Sequence, residues 1–87
     1  MKPNKETYRI LVIDDHPIVA EGIIALASQL EGVTCKGAIC AKDVEQLTLK
    51  ERFDLCIIDL ELPDMNGFQL ISHLHSQIPE CGILIYT

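Results

Sequence analysis

Positive charge is scarce in this chain of 87 residues: seven Lys and Arg stand against thirteen Asp and Glu, a formal net charge of −6. Phosphate binding needs clustered Lys and Arg, so the balance excludes nucleic acid as a direct partner of this segment. Long apolar runs are also missing. None approaches the ~18 residues that a membrane span requires. The polar stretch Met1 to Thr7 lacks the apolar centre of a signal peptide, so a cytoplasmic location is expected. No C-x-x-C pair exists among the cysteines at positions 35, 40, 56 and 81, which leaves zinc without its paired close ligands. Cys56 and Cys81 lie in or beside apolar runs, where a free cysteine behaves as a small hydrophobe. Internal repeats and low-complexity linkers are absent.

What remains is 48% hydrophobic and 23% charged, the composition of one small folded domain with a modest core. Its organising stretch is Leu55-Cys56-Ile57-Ile58-Asp59. Four apolar residues in a row fit a strand buried on both faces, and they deliver one carboxylate to its C-terminal end. Pro63 and Gly67 then punctuate the chain before a helical pattern. Tyr8 to Ile13 reads as the first strand and ends in Asp14-Asp15. Pro17 suits a first helical turn, with Val19, Ile23, Leu26, Ala27 and Leu30 as the apolar stripe and Gly32 as the stop. Val33 to Ile39 is a weaker strand, expected at a sheet edge because it contains Lys36 and Gly37. Ala41 to Lys50 forms a short helix with Val44 and Leu47 inward. Gly67 to Ile78 forms a third helix with Phe68, Leu70, Ile71, Leu74 and Ile78 as its stripe, stopped by Pro79. Gly82 to Tyr86 is the fourth strand. The order β-α-β-α-β-α-β predicts an α/β fold with a parallel sheet and right-handed crossovers.

In open parallel sheets, ligands gather outside the carboxyl ends of the strands. Asp14, Asp15 and Asp59 all stand there, and on neighbouring strands they would converge. Carboxylates that close raise one another's pKa values unless a cation compensates. Mg²⁺ suits such a set, being bound by one or two carboxylates, a carbonyl, waters and a phosphate oxygen. A carboxylate beside it can act as a nucleophile toward a phosphoryl group. Taken singly, an Asp pair before a helix is more often a cap or a solvated turn. Glu61 and Asp64 read as solvated loop acids near Asp59, Tyr86 as strand packing, and His16 as a residue that shapes its loop. His73 and His75, two apart on a helix, face different ways and cannot chelate together.

Ile13-Asp14-Asp15-His16-Pro17, then Ile57-Ile58-Asp59-Leu60 with Pro63 and Gly67, then Ile83-Leu84-Ile85-Tyr86-Thr87, closely resemble the receiver domain of two-component response regulators. The resemblance implies a flavodoxin-like fold with strand order 2-1-3-4, over residues 9–87 behind a disordered leader of residues 1–8. It implies that Asp59 is the phosphoacceptor, taking a phosphoryl group from a sensor histidine kinase or a phosphotransfer protein. It implies that Asp15 and Asp59 bind Mg²⁺ and that Asp14 helps through a water. The third protein ligand is implied to be the backbone carbonyl of Glu61, and Thr87 to be the hydroxyl residue that couples phosphorylation to conformational change. Asp-Asp-His-Pro is similar to the branch that carries a C-terminal helix-turn-helix. In that family a fourth helix, a fifth strand with a lysine and an aromatic switch residue, and a fifth helix follow the position of Thr87. The chain is therefore expected to be a truncated receiver that dimerises, swaps elements or aggregates through its open fourth strand. Two other functions are weighed. One is a phosphatase with an aspartyl nucleophile, whose second Asp would fall at Glu61. The other is a binding module without phosphotransfer.

Overall fold

The structure, a computed structural model, describes residues 7–86. Thr87 and most of the expected leader lie outside the described residues. The chain runs β1 (Tyr8–Ile13), α1 (Pro17–Ala27), β2 (Val33–Ala38), α2 (Ala41–Lys50), β3 (Leu55–Asp59), α3 (Gly67–Gln77) and β4 (Gly82–Tyr86). The four strands form one parallel sheet in the order β2-β1-β3-β4. The expected flavodoxin-like order is observed, with β2 at an edge. No helix among the described residues is long and apolar enough to cross a membrane.

Register explains the core. Leu11 pairs with Cys56 and Ile13 with Ile58, so these four share one sheet face. They meet Val44 of α2 and Leu70 and Leu74 of α3 in a buried cluster that also takes in Phe53. Leu47, expected inward, packs against this cluster. At the lower end of the strands Glu51 accepts from Arg9 at 2.6 Å and from Lys36 at 2.5 Å, fastening β1, β2 and the end of α2 to one another. The Cys56 and Cys81 sulfurs are 3.5 Å apart beneath α3.

Three helix details depart from the periodicity reading. α1 ends at Ala27, short of Leu30, and of its residues only Ala20 is fully buried. Leu26 is 69% exposed, and Val19 and Leu30 are exposed as well. The half-buried positions are Ile23, Ile24 and Ala27, so the stripe is rotated from the expected one and starts at Ala20. The reason is that α1 crosses close over β2, where Ile24 reaches Gly37. Gly32 does not cap the helix. It stands at the entry to β2 with φ 76°, a left-handed conformation that favours glycine, and its carbonyl accepts from Tyr8 N–H at 2.7 Å. In α3, Phe68 is 64% exposed and lies outside the apolar stripe. Its backbone N–H donates instead to the Asn66 side chain at 2.8 Å, the N-cap of that helix.

The loop between β3 and α3 is firmly seated. Leu62 and Met65 pack against the core. Gly67 passes so close to Leu60 that a Cβ there would sit 2.7 Å from the Leu60 Cα, so only glycine fits. Asp64 is thereby carried back to α2, where its carboxylate accepts from the N–H groups of Ala41 at 2.8 Å and Lys42 at 3.2 Å. It is exposed, as expected of a solvated loop acid, and it also caps α2 from another loop. The α2 N-terminus and those hydrogen bonds hold its carboxyl below the usual aspartate range.

Candidate functional site

Asp14 follows the last residue of β1, and its N–H continues the ladder by donating to Ala38 O at 3.0 Å. Asp59 is the last residue of the neighbouring strand β3. The sheet therefore brings both carboxylates to one edge, with Asp14 1% and Asp59 6% exposed. Burial of two carboxylates is costly unless each has partners. Both find one in the N–H two residues further on: His16 N–H donates to Asp14 Oδ1 at 2.8 Å and Glu61 N–H to Asp59 Oδ1 at 3.0 Å. This is the local turn chemistry that Asp favours. Pro17 then starts α1, whose positive end faces the acids.

His16 does more than shape the loop. Its Nδ1 lies 2.7 Å from Asp14 Oδ1, 3.1 Å from Asp15 Oδ1 and 3.4 Å from Asp59 Oδ2. With carboxylates as partners, Nδ1 carries the proton and donates. The hydrogen bond to Asp14 and the charges of Asp15 and Asp14 push the imidazole above its usual pKa. Tyr86, at the end of β4, also reaches the site: its hydroxyl donates to Asp14 Oδ2. Expected as strand packing, it is a site residue. The register places it there, since Tyr86 is the β4 partner of Asp59. Burial pushes the Asp14 carboxyl up, but the Tyr86 hydroxyl and the His16 N–H and ring outweigh it and hold the group below the aspartate range. Burial and the Asp14 charge push the Tyr86 phenol up in turn.

The structure thus brings Asp14, Asp15 and Asp59 together, with His16 as a fourth member, and one ligand atom of each lies within 4.8 Å of the others. Glu61 adjoins through its backbone, while its side chain is exposed. Thr87 lies outside the described residues. Three carboxylates against one imidazole leave the pocket net negative. Their hard oxygen donors fit a hard divalent cation such as Mg²⁺. A hollow of about 540 Å³ lined by Arg9, Lys36, Glu51 and Phe53 opens at the other end of the sheet and holds no such cluster.

Known proteins resemble this chain in sequence and in fold. The nitrate/nitrite response regulator protein NarL of Escherichia coli strain K12 is 33% identical over 87 residues, covering 97% of this chain and 39% of that protein. The transcriptional regulatory protein ComA of Bacillus subtilis strain 168 is 37% identical over 86 residues, covering 91% of this chain and 38% of that protein. The chain therefore spans well under half the length of these relatives. The crystal structure of a CheY-like response regulator receiver domain protein from Methanospirillum hungatei JF-1 superposes with a TM-score of 0.86 at 26% identity, over 93% of this chain and 66% of that one. Residues 10–87 match the family model of the response regulator receiver domain, so nearly the whole sheet and both acidic strand ends fall within the match. The chain belongs to the response regulator receiver domain family.

Proposed function

We propose that this chain is the phosphoacceptor module of a two-component phosphorelay, with Asp59 as the acceptor and a sensor histidine kinase or phosphotransfer protein as the donor. The observation that carries the reading is the placement of Asp59. It is buried at a strand end, with one oxygen held by Glu61 N–H and the other facing the Asp14–Asp15–His16 cluster. An Asp59 oxygen attacks the phosphorus, an O–P bond forms, and the P–N bond to the donor histidine breaks with its electron pair returning to the imidazole. Glu61 N–H fixes the carboxylate for that approach. Asp15 and Asp59 would hold Mg²⁺ directly, Asp14 would act through a water, and the Glu61 carbonyl would complete the protein donors. When bound, the cation neutralises the charge that the phosphoryl oxygens bring to the acidic pocket.

The chain acts as an acceptor rather than as a turnover enzyme, in the cytoplasm where such a donor would meet it. A phosphatase with an aspartyl nucleophile would want a second Asp two residues on. Glu61 stands there, with its side chain exposed. The test is incubation with acetyl phosphate and Mg²⁺ followed by intact-mass measurement. The parent should gain one phosphoryl group, while Asp59→Asn, and the parent with the metal chelated, should gain none. A phosphoryl group on Asp59→Asn would overturn the proposal.

A further inference from the structure

The half of the sheet away from β2 carries two thiols that play no part in the acidic pocket. Cys56, the second residue of β3, is fully buried; Cys81, just ahead of β4, is partly open to solvent. Both are free, 25 residues apart in the chain, with their sulfurs 3.5 Å from each other. The register sets them at the entry ends of β3 and β4, since Leu55 pairs with Gly82, while Asp59 stands at the exit end.

We propose that Cys56 and Cys81 are an oxidative modification site that closes to an intramolecular disulfide on exposure to a hydroperoxide. A disulfide needs its sulfurs about 2.05 Å apart, so the pair must close by roughly 1.5 Å, within reach of small rotations about the two side-chain torsions. The two thiols also divide the chemistry between them. The contact with Cys56 holds the Cys81 thiol below the usual cysteine range despite burial and the nearby Asp54 charge, while the Cys81 sulfur also lies 3.3 Å from the Gly82 carbonyl. The same contact, with burial, pushes the Cys56 thiol far up. The thiolate is the nucleophile, and Cys81 is also the less buried residue of the two.

The Cys81 thiolate attacks one peroxide oxygen. The O–O bond breaks and hydroxide leaves, giving the sulfenic acid. The Cys56 sulfur then attacks Cys81, the S–S bond forms and the S–O bond breaks. The Cys56 proton leaves with the departing hydroxide as water. Two thiols lose two electrons and two protons, and one hydrogen peroxide becomes two waters. The product pins the head of β4 to β3 and shortens the free chain of the unfolded state, which raises stability.

The test is treatment of the folded chain with stoichiometric hydrogen peroxide, followed by intact mass, peptide mapping without reductant, and thermal melting. The expected result is a loss of two hydrogens, a single cross-linked peptide joining Cys56 to Cys81, reversal by dithiothreitol and a raised melting temperature. With Cys56→Ser, reaction should stop at a Cys81 sulfenic acid that dimedone captures. Cross-links to Cys35 or Cys40 would overturn the proposal. So would a parent protein that takes up oxygen on Cys81 while Cys56 remains a thiol, or one that stays fully reduced. The mapping on the parent stands even if a variant fails to fold.

Discussion

Asp14 is the most enclosed acid of the pocket, and both of its oxygens are occupied: Oδ1 by His16 and Oδ2 by Tyr86. Removing the phenol hydroxyl leaves Oδ2 unpaired in a buried place, a loss of about 1–3 kcal/mol. Tyr86→Phe should therefore melt at a lower temperature than the parent in the absence of metal. Because Asp14 Oδ2 is then free to accept from a water on the cation with no competing donor, Mg²⁺ should raise the variant's melting temperature by more than it raises the parent's. Melting curves with and without Mg²⁺ check this, and an equal metal shift in both proteins would contradict it. At this scale the sequence was partly legible. The acids at positions 14, 15 and 59 stand out because each ends an apolar run. Tyr86 does not, because its role depends on which strand lies beside β4, and a run of Ile, Leu and Ile before it argues for packing alone.

Strands were easier to read than helices, for a physical reason. A strand is legible as a short unbroken apolar run, whether buried like β3 or half-open like β4, and both have the expected bounds. A helix stripe is read by spacing, and α1 offers apolar residues on several sides, so the periodicity cannot choose the buried one. Leu26 and Val19 turn outward because α1 lies over β2 through Ile24, with Ala20 buried. The capping of α2 was hidden for another reason. Its partner, Asp64, is 23 residues away from Ala41, and no local signal links them. Asp64→Ala should remove that cap and lower the melting temperature at neutral pH. The Asp64 pKa is lower in the folded chain than its ordinary value of 3.8, so its stabilisation is present above that value and is lost as pH falls through the folded-state pKa. The difference in melting temperature between parent and variant should be constant from neutral pH down to about 5 and shrink on further acidification. A difference that grows with acidity would contradict the cap.

Across the whole molecule, the sheet is asymmetric. β2 closes one edge with short, partly charged sequence, and Lys36 there is held by Glu51. β4 closes the other with Gly-Ile-Leu-Ile-Tyr, where Leu84 is 54% and Ile85 43% exposed. An apolar edge with unpaired backbone groups is a template for another strand. The 87-residue chain should therefore self-associate at tens of micromolar, seen as a sedimentation coefficient that rises with concentration. Charged substitution, Leu84→Lys, should suppress that rise. A monomer throughout the range would contradict the expectation. The net charge of −6 sets a like-charge repulsion against that association, so added salt should strengthen it.

The strand ends, the turn chemistry at Asp14 and Asp59 and the acidic cluster all lead to one claim, that Asp59 accepts a phosphoryl group. The most direct measurement is to locate that group. Borohydride reduces an acyl phosphate to an alcohol, so an aspartate phosphorylated in the presence of acetyl phosphate and Mg²⁺ becomes homoserine, which peptide mass spectrometry can place. The account predicts homoserine at position 59 and unchanged aspartate at positions 14 and 15. Homoserine at either of those positions, or a phosphoryl group that resists borohydride and maps to a hydroxyl residue, would contradict it.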